Sequence, residues 1–169
     1  MNPKHNTYKS GAPLLPAIIG SGFGSGYCPV APGTAGALLA ALIWFGLAGF
    51  MGDPLLKLVT LLLVVCFYVL GVWSANCLSP YWGEDPSRVV VDEMIGTWIS
   101  LLAAPAGSLW YGLAAFALFR FFDIVKPCGV RQMESMPGGV GVMMDDVLAG
   151  IYGFAVLYIV QYIILPFWG

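Results

Sequence analysis

Charge and histidine are both scarce in this chain. Charged residues fill 9% of its 169 positions and apolar residues 59%, whereas soluble domains carry about a quarter charged. Together with a mean hydropathy of +0.84, this excludes an ordinary soluble domain and points to one membrane-embedded unit. His5 is the only histidine and lies in the N-terminal tail, which argues against histidine-based chemistry. The four cysteines, Cys28, Cys66, Cys77 and Cys128, form no C-x-x-C pair and have no histidine to complete a zinc site, so they read as inert thiols. The apolar stretch Leu14 to Ile19 is too short for a signal peptide and is interrupted by proline, so residues 1–19 are expected to be a mobile segment ahead of a single domain at 20–169. The formal net charge of −2 says little about partners, and no nucleic acid is expected among them.

What the chain does have is long apolar runs, at about Thr34 to Met51, Leu55 to Leu78, Met94 to Ala104, Ser108 to Phe122 and Val147 to Phe167. They predict an all-α, polytopic membrane bundle of about four to five apolar helices. The run from Met94 to Ala104 reaches only about half of a ~30 Å hydrocarbon core and is expected to be a short, broken or re-entrant helix. Tight connections at Gly52–Pro54 and Pro105–Gly107 predict antiparallel hairpins, so the longer loops share one face. That face holds every acidic residue except Asp53 and every basic residue except Lys57, and the basic excess predicts that it is cytoplasmic. Small residues four apart, Gly71 with Ala75 and Ala149 with Gly153, suit close helix packing.

The acidic residues cluster at expected helix ends. Asp92-Glu93 is expected to open the short third helix and Asp145-Asp146 the last, while Asp123 lies in R-F-F-D-I-V-K-P, three residues from both Arg120 and Lys126. Helix capping would account for one member of a dyad, and an i,i+3 ion-pair ladder for Asp123. Two dyads and a fifth carboxylate at one membrane rim exceed what capping needs, because carboxylates converging at the edge of hydrocarbon repel unless a cation joins them. Ligands that offer only oxygen favour magnesium, with manganese and calcium behind it. Arg88, Arg120 and Lys126 would then hold a phosphate beside the metal. A glycine-rich loop from Gly20 to Gly36 leads into the first apolar helix, where Gly33 and Thr34 offer an anion site or a cap. A second one, Pro137 to Gly141, reads equally as a turn. The chain has no C-x5-R loop and no D-x-D pair, so phosphate chemistry here would rest on metal and carboxylates.

Taken in order, P-V-A-P-G-T-A-G, D-P-S-R-V-V-V-D-E-M-I-G, R-F-F-D-I-V-K-P and G-G-V-G-V-M-M-D-D-V-L-A-G closely resemble the phosphatidylglycerophosphatase A family from about Gly20 to Gly153. Cys128-Gly129 is a departure from that pattern. The resemblance implies a multi-pass enzyme of the bacterial inner membrane with its site facing the cytoplasm. Its substrate would be an anionic phospholipid, phosphatidylglycerophosphate, and magnesium would serve the removal of its terminal phosphate. Carried over by motif, Asp92, Glu93, Asp123, Asp145 and Asp146 form the acidic, metal-holding centre, and Asp92, Glu93, Asp123 and Asp146 are the catalytic candidates. Pro32, Gly33 and Thr34 accompany them, and the phosphate-binding candidates are Gly33, Thr34, Arg88, Arg120 and Lys126. The expected reaction is in-line attack by water whose pKa magnesium lowers, with a carboxylate nucleophile as the rival route. The alternatives are a phosphatase for another lipid phosphomonoester and a cation transporter with intramembrane carboxylates. The D-G-x-x-A-R signature of alcohol phosphatidyltransferases is absent.

Overall fold

The computed structural model describes residues 11–127 and 129–164, so His5, Lys4, Lys9 and the departure at Cys128 lie outside the described residues. All regular structure among them is helical: α1 (Leu14–Gly20), a 3-10 turn (Ser25–Tyr27), α2 (Pro32–Ala48), α3 (Asp53–Trp82), α4 (Val91–Leu101), α5 (Leu109–Val125), α6 (Val130–Met133) and α7 (Gly139–Ile159), which runs on into a π-helical turn (Val160–Ile164). The N-terminal segment therefore divides. Residues 1–10 are not described, whereas Leu14–Gly20 is a helix, because Pro16 falls in the first turn where its missing N–H costs nothing. The Pro16 carbonyl accepts the buried Ser74 hydroxyl at 2.6 Å, which ties α1 to α3.

The two tight connections meet at one end of the bundle. There Asp53 Oδ1 accepts the Ala106 N–H at 2.7 Å and also pairs with Lys57. At the other end, Arg120 near the close of α5 donates to Thr34 in the first turn of α2. Chain direction thus alternates through α2, α3, α4 and α5, as the short loops require.

α4 is the central element. Every residue from Val91 to Leu101 is buried except the half-buried Glu93. It packs on α2 through Trp98, whose indole N–H donates to the Ala40 carbonyl at 3.0 Å. It meets α7 across a glycine seam, where a Cβ on Gly150 would stand 2.6 Å from the Gly96 carbonyl oxygen. Ser100 Oγ closes this seam with a 3.0 Å bond to the Gly150 carbonyl. The glycines let the two backbones approach closely and fix α7 against α4 one turn below the acidic residues of both.

α4 begins at Val91, one residue ahead of the Asp92-Glu93 dyad expected to open it, and its 11 residues rise about 16 Å, the short helix expected there. Two expectations change. α7 begins at Gly139, where Gly138 at φ 62° turns the chain and Asn76 Oδ1 accepts the Gly139 N–H at 2.8 Å. Asp145-Asp146 therefore lies in the second turn of α7 and does not open it. Only α3 and the stretch Gly139–Tyr162 are long and apolar enough to cross a membrane among the described residues, since α2 and α5, at 17 residues each, rise about 26 Å.

Candidate functional site

A cleft of about 720 Å³ opens at the end of the bundle opposite Asp53. The end of α3, the start of α4, the end of α5, the α6–α7 connection and the second turn of α7 contribute to it. Eight of the nine acidic residues line it, Glu84, Asp85, Asp92, Glu93, Asp123, Glu134, Asp145 and Asp146, and among the described residues Lys126 is the one basic residue that does.

The carboxylates form two sets. Asp92, Glu93 and Asp146 each present an oxygen within 4.8 Å of the others. Asp92 and Asp146 are 7% and 3% exposed, so solvent does little to screen them. Asp92 Oδ1 accepts the Glu93 N–H at 3.0 Å, which orients it at the open N-terminus of α4. Glu93 Oε2 and Asp146 Oδ1 are buried with no hydrogen-bond partner among the described residues. Each ionised pair at this spacing repels by about 3 kcal/mol at an effective dielectric of 20. Three converging carboxylates, two of which carry a buried oxygen without a partner, make the donor set of a hard divalent cation, so the cluster fits a metal ion.

In the second set each carboxylate has a cation. Arg120 Nη1 donates to Asp123 Oδ2 at 2.5 Å, and Nη2 donates to Thr34 Oγ1 at 3.3 Å. Thr34 is two residues into α2 and does not cap it, because the helix begins at Pro32. Gly33 is needed for close approach: a Cβ there would collide with Glu93 Oε1. Lys126, at φ 48° where α5 ends, leaves the helical face it was expected to share with Asp123. Its ammonium reaches Asp145 Oδ2 at 2.7 Å and Glu134 Oε1 at 2.5 Å. Burial alone would lower its pKa, but the hydrogen bonds it donates to Asp145 and Glu134, with their negative charge, outweigh burial and raise it. A fixed ammonium suits phosphate.

The structure thus brings together Asp92, Glu93 and Asp146, and sets Asp123 with Arg120 and Thr34, and Asp145 with Lys126, around them. Arg88 stands apart. It is exposed, its guanidinium lies 5.7 Å from the Tyr27 ring, and it does not line the cleft. Sequence reasoning missed Glu134 and Asn76. Both act across loops or between helices with no periodicity to reveal them, Glu134 on Lys126 and Asn76 on the start of α7.

Residues 18–161 match the family model described as phosphatidylglycerophosphatase A. A phosphatidylglycerophosphatase A of Haemophilus influenzae is 40% identical over 86% of this chain and 88% of its own length. One of Escherichia coli K12 is 36% identical over 85% and 81%. A Bacteroides thetaiotaomicron protein provisionally named a phosphatidylinositol-3-phosphatase is 59% identical over 89% of this chain and 96% of its own. No solved structure matches significantly.

Proposed function

The chain belongs to the phosphatidylglycerophosphatase A family, and from that premise we propose that it hydrolyses the terminal phosphate of phosphatidylglycerophosphate to give phosphatidylglycerol. The observation that carries this reading is the orphaned carboxylate trio within an acidic cleft that also holds a fixed ammonium. Asp92, Glu93 and Asp146 would hold magnesium, preferred because every donor is oxygen. When bound, that ion offsets the carboxylate charge, draws in phosphate and lowers the pKa of water.

The remaining roles belong to the protein. Lys126 faces the incoming phosphate from the rim of the trio and offsets its charge, while Arg120 holds Asp123 from outside the cleft. Thr34 keeps Arg120 aimed. Asp123, held by Arg120, accepts a proton as the water oxygen bonds to phosphorus in line and the ester bond to glycerol breaks, and that proton passes on to the departing glycerol oxygen. Solvent oxygen-18 should appear directly in phosphate in a single turnover; label found in an enzyme carboxylate would instead establish a covalent route.

For the membrane, α3 and α7 cross, α2 and α5 lie beside them through most of the hydrocarbon, and α4 stays inside the bundle as a half-length helix. This is supported by large apolar side chains exposed along α2, α3 and α5, including Leu38, Leu42, Leu62, Val65, Val69 and Leu113. Arg88, Arg120, Lys126 and Arg131 belong to the cleft end and Lys57 to the other, which supports a cleft facing the cytoplasm at a bacterial inner membrane. Carboxylates gathered at one end fit an enzyme better than a cation carrier, whose acids belong near the midplane.

A second reading concerns the headgroup. The Bacteroides relative's name points to an inositol lipid monophosphate, and the trio would serve any phosphomonoester. Phosphate release from phosphatidylglycerophosphate and from phosphatidylinositol 3-phosphate micelles, with magnesium and with EDTA, tests both readings. Faster release from the glycerol lipid that stops in EDTA supports the proposal. Preference for the inositol lipid moves the substrate assignment, and activity indifferent to EDTA rejects the metal.

A further inference from the structure

The segment Leu14–Tyr27 presents an apolar surface that the sequence reading assigned to a loop. Leu14, Leu15 and Ile18 are 75%, 61% and 41% exposed on α1, and Phe23 and Tyr27 follow at 57% and 53%. No charged side chain occurs anywhere between Lys9 and Asp53. The segment is nevertheless firmly held on its other side. Gly20 packs so closely on α3 that a Cβ there would stand 2.6 Å from Ser74 Oγ, and the Gly20 carbonyl accepts the Val90 N–H at 2.8 Å.

Depth is the informative point. A Cβ on Gly22 would stand 2.8 Å from Met94 Sδ and 3.1 Å from Val90 Cγ2, and these two residues flank Asp92 on α4. Phe23, at φ 56°, turns its ring onto Phe67 midway along α3, with centroids 6.0 Å apart. The exposed apolar face therefore stands at the level of the carboxylate trio, and it continues the exposed apolar face of α3 at Val69, Leu70 and Trp73. Tyr27 ends the segment edge-on to Trp82 and beneath the Arg88 guanidinium, the aromatic and cationic pairing typical of the headgroup boundary.

We propose that Leu14–Tyr27 is a re-entrant element seated among the acyl chains of the leaflet on the cleft side, with Tyr27, Trp82 and Arg88 at its headgroup boundary. It holds the trio at the depth of lipid phosphates, so a substrate headgroup reaches Asp92, Glu93 and Asp146 while its tails stay in the bilayer. The inference rests on the membrane disposition proposed above. It also gives Arg88 a role outside the cleft, on the lipid surface.

Single cysteines at Leu15 and Phe23 would be introduced into the full-length chain with its four native cysteines replaced. The proteins would be reconstituted in phosphatidylethanolamine–phosphatidylglycerol vesicles and exposed on both faces to a water-soluble maleimide. Ser87→Cys serves as the aqueous reference and Val65→Cys on α3 as the lipid reference, and retained phosphatase activity reports folding. Leu15→Cys and Phe23→Cys should react about tenfold or more slowly than Ser87→Cys, in step with Val65→Cys, and become reactive in denaturing detergent. Reaction as fast as Ser87→Cys with Val65→Cys protected would overturn the inference and leave the membrane disposition standing. Fast reaction at Val65→Cys would overturn both. Should either variant lose activity, Ile18→Cys takes its place under the same criteria.

Discussion

The two acidic sets lie side by side in one cleft and solve the same electrostatic problem differently. Asp123 and Asp145 each have a cation from the chain, Arg120 and Lys126, at hydrogen-bond distance. Among the described residues Asp92, Glu93 and Asp146 have none, and two of their oxygens are buried without a hydrogen-bond partner. Folding has completed the first set and left the second incomplete. A buried group left unsatisfied carries a cost that something outside the chain can meet, which is why the trio, and not the larger acidic total, is the reacting centre we propose.

The sharpest way to break this contrast is to neutralise one member of the trio. Asp146→Asn should lower phosphate release by on the order of a thousandfold, and Glu93→Gln similarly, with fold retained by circular dichroism. Without metal, the same substitutions should raise the thermal midpoint in EDTA, because removing one of three like charges relieves repulsion of about 3 kcal/mol per pair. A lowered midpoint would mean that the trio is not held charged and incomplete.

The paired set should respond with the opposite sign. Lys126→Met leaves Asp145 beside Glu134 with no cation and should destabilise the protein by about 1–3 kcal/mol while cutting activity about 10–100-fold. Thermal melts and phosphate release read the two effects. The pH dependence follows from the raised Lys126 pKa. A group whose folded value lies above its ordinary 10.5 contributes stability that is complete below that ordinary value and is lost as pH rises through the folded one. The midpoint difference between wild type and Lys126→Met should therefore stay flat from about pH 7 to about pH 10 and shrink only in stronger alkali.

Gly150→Ala tests what holds the trio together, since Asp146 lies one turn above the seam. The added methyl would push α7 from the Gly96 backbone, costing about 1–3 kcal/mol and separating Asp146 from Asp92. Activity in magnesium should fall more than the melting shift alone explains. The smallest effect belongs at the far end. Asp53→Asn removes a half-exposed ion pair with Lys57, should cost at most about 1 kcal/mol, and should leave phosphate release unchanged.

Much of this arrangement is legible in the order of residues. Short turns at 49–52 and 102–108 force alternating helices, so acids near alternate helix ends must share one face, and all eight do line one cleft. Asp92-Glu93 opening α4 follows from its place before an apolar run. The start of α7 does not, because it depends on Asn76 reaching across from α3 to hold Gly139. The separation of Asp145 from Asp146 is hidden for a related reason. Neighbours on a helix point about 100° apart, so one dyad member faces Asp92 and the other faces Lys126. The helix at Leu14–Gly20 is obscured by Pro13, Pro16 and Gly20, which read as breakers until α3 supplies a surface to pack on.

The sequence alone determined the chemistry available: an apolar helical chain with acids confined to one end, oxygen as the only metal donor, two nearby cations, and motifs ordered as in the phosphatidylglycerophosphatase A family. Only the tertiary structure decided which three carboxylates converge, which two are matched by Arg120 and Lys126, and how deep the cleft stands against the apolar surface beside it. Those choices depend on helix rotation and on contacts such as Gly96 with Gly150 and Asn76 with Gly139. They join residues too far apart in the chain for local spacing to fix.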